Sequence, residues 1–171
     1  MLKNALRTVL LFSFAFPFGL AVAQTDAPQQ KSSPLKGDAQ IQRGKYLVKI
    51  AGCNDCHTAG YAASGGKVPE SQWLTGDKLG WRGPWGTTYP SNLRLYMRDI
   101  SEAKWMQTAR TVETRPPMPW FVLHDMTEQD LRAIYKYVNA LGPAGEAAPI
   151  YVPPGKEPHT PYVQFPAAPK P

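Results

Sequence analysis

Ala51-Gly52-Cys53-Asn54-Asp55-Cys56-His57-Thr58 is the stretch on which the reading of this chain turns. Two cysteines stand three positions apart, and a histidine follows at once. That is C-x-x-C-H, the attachment signature of a c-type haem. Each thiol adds to one vinyl group of a single macrocycle, so both sulfurs must project from one short turn. The next residue then brings an imidazole beneath the iron. Three other readings compete: a disulfide, a structural zinc site and a chance match. A redox-active C-x-x-C belongs between a strand and a helix, whereas here it follows a predicted helix. A zinc site needs four donors, and beyond Cys53, Cys56 and His57 the chain offers only His124 and His159 among the usual soft ligands.

Working outward, the amino terminus reads as an export signal at residues 1–23. Lys3 and Arg7 precede an apolar run from Val9 to Leu20, and Ala21-Val22-Ala23 supplies a cleavage site that would leave Gln24 first. The run is short for a membrane span and holds Pro17 and Gly19. No other long apolar stretch occurs, so a mature chain without a membrane span is expected, in a periplasmic setting. Export also suits the covalent haem, which is attached after secretion. The formal net charge is +6, and Lys3 and Arg7 would leave with the signal. The mild basic balance suits docking on an acidic protein patch. It argues poorly for nucleic acid, because no dense basic run accompanies it.

Residues 24–37 are polar and aperiodic, as in a flexible leader. A compact unit is expected at roughly 38–142. Asp38 is placed to cap a helix running to about Ala51, with Gly44, Leu47, Ile50 and Ala51 toward its inner face. Ser101 caps a middle helix to about Val112, with Trp105 inward. Thr127 caps a last helix, with Asp130 in the place of a capping-box carboxylate. Leu131, Ile134, Tyr135 and Val138 form its apolar stripe, and Gly142-Pro143 stop it. No strand-like alternation of useful length is seen. Long loops at 58–72 and 76–100 would need a large apolar cofactor to pack on. The segment 143–171 holds nine of the eighteen prolines and cannot be helical. It reads as a loosely attached tail that could instead cover the surface in extended form or reach a partner.

A second protein ligand to the iron is sought among Met97, Met106, Met118, Met126 and His124. Met118 fits best. It lies in Arg115-Pro116-Pro117-Met118-Pro119-Trp120, where prolines on both sides hold it extended and limit the ordering cost of the bond. Met106 falls on the middle helix, Met126 occupies a staple position before Thr127, and Met97 sits in a basic loop suited to the surface. His124 would lower the potential relative to His/Met ligation.

The order and spacing of Gly44, Cys53-Asn54-Asp55-Cys56-His57, Met118 in its proline loop, and the helix from Leu131 to Val138 resemble the class I c-type cytochromes through most of residues 41–141. The resemblance implies an all-α, class I cytochrome c-like fold of three to five helices around one covalent haem, with long loops. It also implies that Gly44 of the first helix packs on Tyr137 of the last. A nearer likeness is to single-haem carriers or cytochrome subunits beside bacterial dehydrogenases, whose loop resembles Gly83-Pro84-Trp85-Gly86-Thr87-Thr88-Tyr89-Pro90-Ser91-Asn92-Leu93. The chain departs from them at Arg94-Leu95, and it has one haem motif where several such subunits have three.

Around the macrocycle and its propionates, Trp81, Arg82, Trp85, Tyr89, Asn92 and Arg115 are the expected contacts, since buried carboxylates need donors or cations. A carbonyl is expected to accept from the His57 ring, with Pro69 as one candidate. Lys45, Lys49, Lys67, Lys78, Arg94 and Arg98 could surround an exposed haem edge, though a solvated surface is their default. The expected cofactor is one haem c with its iron, held by His57 and Met118. The expected role is electron transfer with protein partners, a dehydrogenase donor or an oxidase acceptor, without substrate turnover. The alternative is a haem enzyme or gas sensor with an open sixth site, although nothing resembles a distal acid–base pair.

Overall fold

The computed structural model describes residues 35–166. The expected signal peptide and most of the expected leader lie outside the described residues. The helices are α1 Asp38–Ile50, α2 Cys53–His57, α3 Leu93–Arg98, α4 Glu102–Thr111, α5 Phe121–Asp125 and α6 Glu128–Leu141. Among the described residues there is also a three-stranded sheet of β1 Gly80–Gly83, β2 Gly86–Thr88 and β3 Tyr162–Gln164, in the order β2-β1-β3. The class I cytochrome c-like helical frame expected from the sequence is present, but with six helices among the described residues in place of three to five, and with a small sheet where an all-α fold is expected. Neither the sheet nor the short helices α2, α3 and α5 were foreseen, because one or two turns and strands of three or four residues carry too little periodicity to read. No described helix is long and apolar enough to cross a membrane.

The two polar caps form as expected. Ser101 Oγ accepts from the Lys104 amide at 3.2 Å, and Thr127 Oγ1 accepts from the Asp130 amide at 3.1 Å. Gly142, at φ 70°, ends α6 in a conformation that a Cβ disfavours. Asp38 corrects its expectation: it is the first helical residue, the cap is Gly37, and no side chain caps the turn.

The core is built where α1 crosses α6. Gly44, Leu47 and Val48 face Ala133, Ile134, Tyr137 and Val138, all buried. A Cβ on Gly44 would stand 2.0 Å from the Ala133 carbonyl oxygen and 2.6 Å from Tyr137 Cβ. The crossing is thus as close as the resemblance implied, and the backbone of α6 meets the notch as well as Tyr137. Ile50 does not join this face: it is 58% exposed, because α6 covers only the stripe through 44, 47 and 48. Trp105 points inward as expected and donates to the Leu131 carbonyl at 2.8 Å.

Asp130 does not complete a capping box. Its carboxylate accepts from Arg43 Nε at 2.9 Å, tying the start of α6 to α1. The hydrogen bond from Arg43 outweighs the opposing effect of burial and holds this carboxyl below its ordinary range. The pair therefore stabilises the folded chain above the ordinary aspartate pKa, and the benefit fades as the pH falls through the depressed value. Asp130→Asn should cost about 0.5 kcal/mol at pH 7, a figure set by the partial exposure of Arg43. Urea titrations of the two proteins should converge once the pH has fallen through that depressed value. A gap that persisted there would show that packing, and not charge, links these helices.

Arg94 also departs from expectation. It is 6% exposed and not a surface cation. Its guanidinium donates to the carbonyls of Gly142 and Leu141 at 2.5 Å each and of Ser71 at 2.7 Å. The last carbonyls of a helix lack intrahelical partners and carry partial negative charge, so a buried arginine there satisfies both needs.

The proline-rich segment is seated on the rest, at least to residue 166. β3 runs parallel to β1, with Trp81 opposite Val163. Thr87 and Val152 exchange backbone hydrogen bonds of 2.7 and 3.0 Å. Phe165 packs on Trp81 and Trp85, with ring centroids 5.9 and 5.3 Å apart. Proline forbids a helix here, but it does not forbid pairing with an open sheet edge whose backbone groups would otherwise lack partners.

Candidate functional site

Helix α2 begins after Gly52, which sits at φ 71° and lets the chain turn sharply out of α1. Its single turn places both cysteines and the histidine on one lip of a cleft. Two adjoining cavities lie there, of about 700 and about 310 Å³. Both are lined by Cys56, His57, Ser91, Thr114 and Met118, so they share one wall. Cys53 joins the smaller, apolar cavity, together with Val48, Leu93, Met97 and Ile134. These volumes span the range of organic cofactor sites.

The cysteines are unpaired. Burial pushes the Cys53 thiol up to about 11 and also raises that of Cys56. Both are thiols at neutral pH. That suits S–H addition to a vinyl group and argues against thiolate exchange. Among the described residues, no group of three or more His, Cys, Asp and Glu side chains is arranged to hold a metal ion, so the four donors of a structural zinc site are not assembled.

His57 is 8% exposed, and burial holds its imidazole below the ordinary range against the opposing pull of its hydrogen bond. The ring Nδ1 lies 2.7 Å from the Ser91 carbonyl. A carbonyl only accepts, so the proton sits on Nδ1 and Nε2 keeps its lone pair. Ser91 therefore replaces Pro69, the acceptor suggested by the sequence. The segment carrying Ser91 passes beside the motif because Asn92 is buried: its side chain accepts from the Leu95 amide and donates to Ala144 and Glu146 carbonyls at 2.8 and 3.0 Å. A second brace runs through Thr58 Oγ1, which donates to Asn54 Oδ1 at 2.7 Å and accepts from the Leu74 amide at 2.8 Å.

Of the candidate second ligands, Met118 alone lines both cavities with His57. Its loop is non-helical, and the Thr88 hydroxyl fastens it by donating to the Pro116 carbonyl at 2.8 Å. Met97 and Met126 line only the smaller cavity, and Met97 is 1% exposed, which corrects its surface assignment. Met106 packs against the core. The His124 ring stands 3.0 Å from the Val112 carbonyl and 5.0 Å from the Trp120 ring, and it lines neither cavity.

The expected peripheral contacts divide. Trp81, Tyr89 and Arg115 line the larger cavity. The Trp81 indole N–H is buried without a partner. Arg115 stacks at 4.1 Å over the Tyr151 ring. Arg82 turns away to Glu157, at 2.6 Å, and to the Tyr162 hydroxyl, at 2.9 Å. Trp85 packs on Phe165, and Asn92 is spent on α3 and the chain after α6. These three therefore do not line the cleft. Pro149 and Tyr151 do, although the sequence gives no sign of it, because a proline-rich segment offers no periodicity to place a side chain. Glu113 and Thr114 were also missed, although their nearness to Met118 was a usable signal.

A family model described as "Cytochrome c" matches residues 41–142. The chain is similar to proteins described as "Alcohol dehydrogenase (quinone), cytochrome c subunit" from Gluconacetobacter polyoxogenes and from Komagataeibacter europaeus. It is 28% identical to each over 137 residues, covering 73% of this chain and 25% of the relative. The chain thus spans about a quarter of the length of these curated relatives. No solved structure matches it.

Proposed function

The chain belongs to the cytochrome c family, and from that premise we propose that it holds one haem on Cys53 and Cys56, with His57 and Met118 as iron ligands, and passes single electrons between redox proteins outside the cytoplasm. Haem-based electron transfer follows from the family; the residue roles, the single haem and the partners are our reading. When bound, the haem supplies an iron centre that takes up and releases one electron. The observation that carries the assignment is that His57 and Met118 line the same two cavities while the Ser91 carbonyl leaves His57 Nε2 unprotonated.

Each residue then has a physical task. His57 and Ser91 fix the imidazole plane and its tautomer. Met118, between prolines, offers a soft donor from a stiff loop, and a thioether ligand raises the potential. Trp81, Tyr89 and Arg115 border the larger cavity, and of these the Arg115 guanidinium would pair with a propionate. The apolar wall of the smaller cavity would limit water beside the haem and keep the reorganisation on electron transfer small.

The cytochrome unit is assigned to residues 38–142, with 143–171 as an added segment and 1–23 as an export signal. The description of the relatives as dehydrogenase cytochrome subunits favours a dehydrogenase donor. Expression in a host that matures c-type haem tests the proposal. The denatured chain should stain for haem and exceed its polypeptide mass by one haem. A colourless band would overturn covalent attachment. Ready binding of carbon monoxide by the reduced protein would favour an open sixth site instead.

A further inference from the structure

Residues beyond 142 lie outside the stretch that matches the family, yet they form part of the wall of the larger cavity through Pro149 and Tyr151. Tyr151 is firmly placed. Its hydroxyl donates to the Trp85 carbonyl at 2.7 Å, and the adjacent Val152 is bonded twice to Thr87. Room for this crossing depends on Gly86, at φ 97°: a Cβ there would stand 2.4 Å from the Val152 carbonyl oxygen and 2.9 Å from the Tyr151 ring. Beyond it, Arg82 grips Glu157 and Phe165 covers the indoles of Trp81 and Trp85.

On this platform lies Arg115. Its guanidinium sits 4.1 Å from the Tyr151 ring centroid, within the range of a cation–π contact. It belongs to no ion pair among the described residues, although Glu113 lines the same cavity. A cation on a mobile loop samples water; a cation resting on a fixed aromatic face is held where it is needed. Trp81 and Tyr89 line the same cavity. The unpaired guanidinium borders this space and calls for an anionic acceptor.

The geometry points to Tyr151 as a positioning residue for the cofactor. Its ring holds Arg115 at the larger cavity, where the guanidinium faces an acid edge of the bound haem and raises its reduction potential. This rests on the haem assignment above. A fixed positive charge beside the centre disfavours the oxidised form, which carries one more positive charge, so its removal must lower the potential.

Midpoint potentials of the full-length holoprotein test this. Arg115→Gln and Tyr151→Leu should each lower the reduced-to-oxidised ratio at fixed poise about tenfold, or about 59 mV for one electron. Tyr151→Phe keeps the aromatic face and should stay within about twofold of the parent. The double variant Arg115→Gln/Tyr151→Leu should fall no further than Arg115→Gln alone, because both changes act through one cation. Tyr151→Met, of similar bulk without a ring face, is the second variant if Tyr151→Leu does not mature, with the same expectation. An unchanged potential in the ring-deleted variant, or additive shifts in the double variant, overturns the inference. A parent protein without covalent haem defeats the functional assignment instead, and the two failures are told apart by the haem stain.

Discussion

Met118→Ala should abolish the weak near-red absorption band that Fe–S ligation gives, render the ferric haem high-spin, and let the reduced protein bind carbon monoxide. Its midpoint potential should fall by on the order of 100 mV, within the roughly 0.8 V that axial ligands command. The expectation follows from the shared wall: Met118 and His57 border both cavities, and no other methionine among the described residues does. The fold should survive, because Met118 is only half-buried and its loop is held through backbone groups, including the Pro116 carbonyl that accepts from Thr88. Persistence of the band in the variant would transfer the ligand role to Met97 or Met126, the thioethers of the smaller cavity. His124 is a poor substitute, because one ring nitrogen is engaged with the Val112 carbonyl and the ring packs beside Trp120.

The second large effect is on stability. Gly44→Val should destabilise the chain by about 3 kcal/mol or more, at or beyond the upper end of overpacking costs. A Cβ at this position meets the Ala133 carbonyl oxygen at 2.0 Å, and neither that backbone nor Tyr137 Cβ at 2.6 Å can swing aside as the end of a long side chain could. Relief requires α1 and α6 to part, and that opens the packing of Leu47, Val48, Ile134 and Val138 along the crossing. For a chain of this size the midpoint of thermal unfolding should drop by about 10 °C. Gly44→Ala should show most of the same loss, since the Cβ alone makes the clash. A variant that melts within about 2 °C of the parent would mean that the helices separate at little cost and that the crossing is not a determinant of the fold.

Several features were legible in the sequence because they depend on neighbours along the chain. The turn carrying Cys53, Cys56 and His57 is one, since three reactive groups within five residues fix their own geometry. Ser101 and Thr127 each cap a helix by reaching an amide three residues on. The apolar stripe of α6 repeats at helical spacing, and Leu131, Ile134 and Val138 are indeed buried. The Gly44 crossing came from family likeness rather than from spacing, because nothing local says which residue a glycine will meet.

The remaining features needed the folded chain. Ser91 and not Pro69 accepts from His57, a choice made by which loop passes the imidazole after Asn92 has been fastened to the chain beyond α6. Arg94 looked like a surface cation, and only the end of α6, 47 residues away in sequence, gives its charge a buried use. Arg82, Trp85 and Asn92 have residue types that suit propionates, yet Arg82 is taken by Glu157, the Trp85 ring packs on Phe165, and Asn92 caps its own helix and donates to Ala144. Tyr151 lay in a segment whose composition forbids a helix and says nothing about what it will cover. By itself, then, the sequence determined the chemistry of attachment and the helical frame, which local spacing and local hydrogen bonds specify. The tertiary structure alone decided which groups surround the cleft, because those choices turn on which distant carbonyl, ring or charge becomes a neighbour once the apolar surfaces are buried.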